Sequence, residues 1–218
     1  MIKVSRHRTP VSPVIRDSVL ELVGENVTAL SMSSPPRSHP LYEGYKAILL
    51  AEMHAYITHH DLPQIELLTA VAEDGAVVAF MLIGLVETET LEANIYYTAV
   101  RERFRRQGVM TQMMQVVLEI APVLGLSCDV ELVPIYARYG FRPVDSRETQ
   151  VVMFLGSPTG ITPVLGSDEL QELGSVIKAF SDAASRTDTR TLKRADKLLK
   201  ADIAARKVKV RNFLKVNG

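Results

Sequence analysis

The sequence predicts an α/β fold: a mixed, mainly antiparallel central sheet flanked by helices, followed by a helical C-terminal extension. Three observations predict it. Between residues 66 and 155 the hydrophobic pattern switches between strand-like and helix-like stretches in the order β-β-β-α-β-α-β, an α/β succession with one interior crossover helix. Asp74-Gly75 separates two apolar runs and is a strong two-residue hairpin signal, because both central positions need positive φ. A glycine- and proline-bearing stretch at 156–166 (GSPTGITPVLG) parts this block from a last segment with helical periodicity. The expected organisation is a domain at 1–156, a linker at 157–166 and a helical basic extension at 167–218.

Upstream of the block, Val19, Leu20, Leu22 and Val23 suggest a short helix ending at Gly24. Residues 31–40 (SMSSPPRSHP) hold four serines and three prolines and read as a loop. Tyr45, Ile48, Leu49, Met53, Tyr56 and Ile57 recur at steps of three and four, which predicts an amphipathic helix stopping near His60, before Asp61 and Pro63. The period then changes. Residues 67–72 read as a strand, and 76–86 as a nearly all-apolar strand of the sheet centre. Residues 93–100 (ANIYYTAV) are rich in β-branched and aromatic types and make a third strand. Val109, Met113, Val116, Val117 and Ile120 mark one side of a helix that Pro122 and Gly125 close. A short strand follows at 126–130, a short helix at 134–139 ended by Gly140, and a last strand at 149–155. Beyond the linker, Leu170, Leu173, Ile177 and Phe180 predict a helix within 167–184. Leu192, Ala195, Leu199 and Ile203 form one stripe of a basic helix at 191–205. The end, 207–216 (KVKVRNFLKV), alternates in part and reads as extended.

The chain has 218 residues with 25 Lys+Arg and 25 Asp+Glu, so its formal net charge is zero. That length suffices to bury a sizeable core. A single cysteine, Cys128, excludes an intramolecular disulfide and any multi-cysteine zinc site. No run approaches the length of a membrane-spanning helix, and residues 1–13 lack the apolar stretch of a signal peptide. A cytoplasmic protein with no membrane partner is expected. The zero net charge conceals a split: residues 186–218 carry 11 basic and 3 acidic groups, or +8, which leaves −8 on the rest. Such a tail folds back on its own body or reaches an anionic partner.

The most informative segment is 100–111, VRERFRRQGVMT: a strand runs into a loop with four arginines, then a glycine, then a helix. A helix N-terminus leaves backbone N–H groups unpaired and adds partial positive charge, which together make an anion site. Gly108 permits a sharp turn and a close backbone approach. Arg105 and Arg106 are placed to add charge-assisted hydrogen bonds. The segment therefore suits a diphosphate-like group lying across the start of the helix.

This segment resembles the acetyl-CoA loop of the GNAT superfamily of N-acetyltransferases, whose pattern is Arg/Gln-x-x-Gly-x-Gly/Ala after a strand ending in Val. Val100, Phe104, Arg105 and Gly108 stand at matching places, while Met110 stands where the family has Gly or Ala. A second resemblance lies at 129–141 (DVELVPIYARYGF), where Tyr136, Gly140 and Phe141 match Tyr-x-x-x-Gly-Phe. The element order is also that of the family core. The resemblance implies a GNAT-like fold and acetyl transfer from acetyl-CoA, as co-substrate, to a primary amine in a small molecule or protein, by direct attack in a ternary complex. It implies that the backbone N–H groups of Arg105, Arg106, Gln107, Gly108, Val109, Met110 and Thr111 hold the pyrophosphate. The pantetheine arm would lie along Thr98, Ala99 and Val100, and residues 16–60 would wall the acceptor site. In the family the Val100 N–H is the oxyanion donor, and the tyrosine at position 136 often acts as general acid.

Acyl transfer to an amine needs a base, since a lysine-like amine has a pKa of about 10.4, and a donor for the developing oxyanion. Glu92, Asn94, Tyr96, Tyr97 and Glu87 are the candidates for the base, with none singled out. Tyr136 is the candidate acid; an aromatic there also packs against the cofactor arm or the core. His54, His59 and His60 are spaced by five, six and one, which does not put a ligand pair on one helix face, so no metal is expected. Cys128, amid apolar residues, reads as buried and inert. Met110 either tilts into the core or crowds the pyrophosphate. The second functional reading is a catalytically inactive GNAT-fold scaffold docked into a larger assembly through its basic tail. Residues 167–218 also suit homo-oligomer contacts; with Phe213 as their one aromatic after Phe180, they are poorly equipped to stack on nucleic acid.

Overall fold

The computed structural model describes residues 2–58, 64–160, 165 and 167–217. Its centre is β3 (Val77–Glu87), whose first nine residues are all buried, as an apolar run covered on both faces must be. On one side β3 pairs antiparallel with β2 (Ile65–Val71), and β2 with β1 (Lys3–Arg8). On the other it pairs antiparallel with β4 (Leu91–Val100). β4 runs parallel to β5 (Val123–Cys128), and β5 is followed by β7 (Gln150–Leu155) and β6 (Arg142–Arg147). The sheet order is β1-β2-β3-β4-β5-β7-β6.

Side-chain alternation along the strands makes two cores. Leu67, Phe80 and Leu82 face a layer of α1 (Pro13–Glu25), α2 (Val27–Leu30) and α3 (Tyr42–Thr58). Leu68, Met81 and Ile83 face α4 (Val109–Ile120) and α5 (Val133–Ala137). Residues 167–217 add α6 (Ser167–Gln171), α7 (Gly174–Ser185) and α8 (Thr189–Asn217). α7 lies on α3, where Phe180 covers Gly44. α8 runs along β6 and β7 and buries Val210 in the second core.

Three elements differ from expectation. β1 sits in the basic N-terminal stretch, and β6 carries Pro143 and six largely solvent-facing residues. Both are sheet edges, where one face and one row of backbone groups meet water and the apolar alternation fades. Residues 207–216 are not extended; they continue α8 to Asn217. Burial of Val210 at the helical step from Leu199, Arg206 and Phe213 overrides the local Val208/Val210 alternation. His59 and His60 lie outside the described residues. His54 is exposed on α3, and among the described residues no three His, Cys, Asp or Glu gather as for a metal.

The site is made by an interruption in the sheet. Between β3 and β4 the register shifts: Leu82 pairs with Tyr97 but Ile83 with Ile95, which leaves Tyr96 as an extra residue in β4. A bulge bends its strand and sharpens the twist. The Tyr96 ring crosses Gly84, where a Cβ would lie 2.4 Å from the Tyr96 hydroxyl. Beyond this point β4 and β5 part. Their pairing runs only from Glu92–Val123 to Ile95–Leu126, so among the described residues the C-terminal part of β4 has no strand partner on that edge.

Candidate active site

The parted strands open a cleft of about 120 Å³. β4 contributes Tyr96, Tyr97 and Thr98, the α2–α3 region Met32, Glu52 and Tyr56, and the opposite wall Asp129, Tyr136, Arg147 and Gln150. Arg101 N–H donates to Val78 O at 2.7 Å across β3. With period-two alternation, the N–H and C=O of Val100 therefore turn to the open edge.

At the end of that edge the chain forms a 3-10 turn (Glu102–Phe104) and enters α4. Arg106 (φ 61°) and Gly108 (φ 78°) are both left-handed, and Gly108 is the N-cap residue. The first helical bond is Gln112 N–H to Gly108 O at 3.0 Å. The N–H groups of Val109, Met110 and Thr111 precede it, and among the described residues none of the amides of 106–111 has a protein acceptor. A Cβ on Gly108 would meet nothing within 4 Å, so the space beside this turn is open. Such a cluster is an anion cradle.

Arg105 departs from expectation. Its Nε donates to Val100 O at 3.0 Å and its Nη2 to Asn26 Oδ1 at 2.8 Å. Its guanidinium braces the loop against the α1–α2 junction through Nε and Nη2, and Nη1 takes no part in these bonds. Arg106 is exposed, and Gln107 Nε2 is turned back to Arg103 O. Met110 takes the inward course: it packs on the second core, with its Sδ 3.8 Å from Thr98 Oγ1. Thr111 Oγ1 lies 3.0 Å from Tyr139 Oη, which ties the first turn of α4 to the end of α5.

Tyr136 is 7% exposed, lines the cleft and meets Phe141 edge-on at 6.0 Å. Burial raises its hydroxyl pKa, which keeps it a proton donor. Of the candidates for the base, Glu92 is committed elsewhere. It accepts hydrogen bonds from Thr159 N and Oγ1, Gly160 N and Thr88 Oγ1, and these hold it below the usual carboxylate range. Glu87 is exposed at the end of β3. Asn94 and Tyr96 line the cleft but offer no basic group. Tyr97 is raised by burial and by the charge of Glu52, to which it hydrogen-bonds.

Glu52 is the residue that sequence reasoning missed. Its carboxyl faces the cleft, and burial raises its pKa against the opposing pull of Tyr97 and Arg147. The signal was present: Glu52 falls at the helical step of Tyr45, Leu49 and Tyr56, a carboxylate within an apolar stripe. Tyr56, stacked on Tyr96 at 5.3 Å, accepts from Leu165 N at 2.9 Å. Cys128 is 3% exposed, its thiol pushed up to about 12 by burial, so it is no nucleophile.

Residues 28–141 match the model of the acetyltransferase (GNAT) family. The chain belongs to this GNAT family. In solved structures its fold is similar to a PaiA N-acetyltransferase from Thermoplasma acidophilum in complex with coenzyme A: 15% identity, 71% of this chain, 98% of that one, TM-score 0.52. It is also similar to a Corynebacterium glutamicum structure described as histone acetyltransferase HPA2 and related acetyltransferase: 16% identity, 73% of this chain, 99% of that one, TM-score 0.53. No curated protein matches by sequence. The GNAT family uses acetyl-CoA as co-substrate, and the open amides at the start of α4 and the free edge of β4 fit its diphosphate and its extended arm. This GNAT chain is an acyltransferase with acetyl-CoA as donor.

Proposed function

We propose that the chain transfers the acetyl group of acetyl-CoA to a primary amine by direct attack within a ternary complex. The observation that carries this reading is the juxtaposition of unpaired amides at 106–111 with the split between β4 and β5. Acetyl-CoA supplies the thioester carbonyl. The amides bind its diphosphate, and residues 98–100 align its arm along the strand edge. The Val100 N–H, turned to that edge, stabilises negative charge developing on the acetyl oxygen, the role of a preorganised backbone donor. Glu52 takes a proton from the incoming ammonium, for which a raised carboxyl pKa is well matched. Tyr136 on the facing wall returns a proton to the departing thiolate.

Calorimetric titration with acetyl-CoA tests the reading. Micromolar binding is expected for the native chain and none for Gly108→Trp, whose side chain would fill the open space beside this turn. A non-glycine residue at φ 78° costs about 1–2 kcal/mol, which a folded domain of this size tolerates. If millimolar acetyl-CoA does not bind, the chain is a binding protein built on an enzyme fold.

A further inference from the structure

A guanidinium stands unused on the cleft wall. Arg147 ends β6 and pairs with Gln150 across the two-residue turn Glu148-Thr149, and both flanking residues line the cleft. Among the described residues the Arg147 side chain makes no hydrogen bond and no ion pair, unlike those of Arg101, Arg105 and Arg206. Its charge is nonetheless felt by Glu52, Tyr56 and Tyr97 on the facing wall.

The turn that presents Arg147 is held on its outer side. Glu148 pairs with Lys207 of α8 at 2.5 Å. Thr149, 3% exposed, donates its hydroxyl to Met32 O at 2.8 Å and accepts from Arg206 Nη1 at 3.4 Å. Arg147 also borders a second cavity of about 320 Å³, lined by Glu92, Asn94, Ser127, Phe154 and Gly160. The two cavities share Asn94, Leu126, Ser127 and Arg147. The guanidinium thus stands where a ligand's far end would pass from one to the other.

Resting on the acetyl-transfer reading, we propose that the acceptor is an amine that also carries a carboxylate, such as an amino acid, and that Arg147 binds that carboxylate while Glu52 receives the amine. A planar guanidinium matches a carboxylate with two parallel hydrogen bonds. An ammonium at Glu52 and an anion at Arg147 complete a cleft that holds opposite charges on facing walls. A polyamine would bring a second ammonium against Arg147, which disfavours it.

The test compares acceptors pairwise. Acetyl transfer is measured for the α-amino acids and for β-alanine, γ-aminobutyrate and ε-aminocaproate, each beside its carboxamide, with spermidine as the cationic control. At least one carboxylate acceptor should exceed its carboxamide by about 10–100-fold in kcat/KM, as a charge-assisted pair predicts. Arg147→Ala should abolish that preference through KM, and Arg147→Lys should restore part of it, with the KM for acetyl-CoA unchanged. Carboxylate and carboxamide used equally, a preference that survives Arg147→Ala, or transfer to spermidine alone would overturn the proposal. So would acetyl-CoA binding without transfer to any panel member. In each of these cases the cofactor reading stands, whereas failure of acetyl-CoA to bind removes both.

Discussion

Glu52 and Tyr136 face one cleft with shifted pKa values of different use. The Glu52 carboxyl is raised by burial, so its charged form, the one that accepts a proton, prevails only above the ordinary carboxylate range. Activity should therefore fall on the acid side along a limb displaced upward from about pH 4.3, the value for a free glutamate. Glu52→Gln should lower kcat/KM by about 10²–10⁴-fold and remove that limb from the pH profile. Stability should move the other way. A carboxyl with a raised folded pKa contributes most below its unfolded pKa, and that contribution is lost as pH rises through the folded one. The melting temperature of Glu52→Gln should thus match the parent in acid and equal or exceed it at neutral pH. A melting temperature lower at pH 7 would mean that Glu52 is a structural carboxylate. Tyr136→Phe should lower turnover and leave acetyl-CoA affinity nearly intact, because among the described residues the hydroxyl has no protein hydrogen bond to lose, while the ring keeps its contact with Phe141. Equal losses in both quantities would assign Tyr136 to packing.

At the scale of elements, the acceptor wall is held from behind by α8. Arg206 donates to Ser33 O at 2.9 Å, Met32 O at 3.2 Å and Ser34 Oγ at 2.9 Å, and its Nε pairs with Asp202 at 3.0 Å. It fastens the loop after α2, whose Met32 lines the cleft. Arg206→Ala should cost about 1.5–3 kcal/mol in urea unfolding, the range for a charge-assisted hydrogen bond. It should also speed amide exchange in residues 31–34 and raise the KM of the acceptor more than that of acetyl-CoA; unchanged exchange there would show that the loop holds itself. Nothing in the sequence distinguishes Arg206 from the ten other cations of 186–218, because its partners at 32–34 and 149 are distant in the chain. The same holds for Arg105, whose motif position is plain while its partner Asn26 is not. What was legible had strong local periodicity or demanding backbone: α3, β3, β4 and the Gly108 turn. The β4 bulge was not, since a register shift arises from pairing two strands rather than from either one.

For the whole molecule, the question is whether α6–α8 are an appendage or part of the fold. Charge alone would suggest a basic tail lying on an acidic body, yet the pairs that cross from α8 to the body, Lys207–Glu148 and Lys209–Glu131, are half-exposed on both partners. Exposed pairs contribute little and are screened by salt, so docking rests on apolar contact together with the Arg206 hydrogen bonds. Leu199 and Val210 are 6% and 1% exposed, and Tyr45 meets Phe180 edge-on at 5.6 Å. The sharpest contact is Phe180 over Gly44, where a Cβ would fall 2.3 Å from the ring. Gly44 lies within α3, a place where alanine is ordinarily preferred by about 1 kcal/mol. Glycine there is consistent with making room for the ring. Gly44→Ala should therefore destabilise the full chain by about 1–3 kcal/mol through overpacking. In a Phe180→Ala background the ring is gone and helix propensity prevails, so the same change should stabilise. Urea unfolding of the four chains measures this cycle. A reversal of sign makes α7 part of the folded body that shapes the acceptor side; an equal effect in both backgrounds would mean that α7 does not rest on α3 in solution.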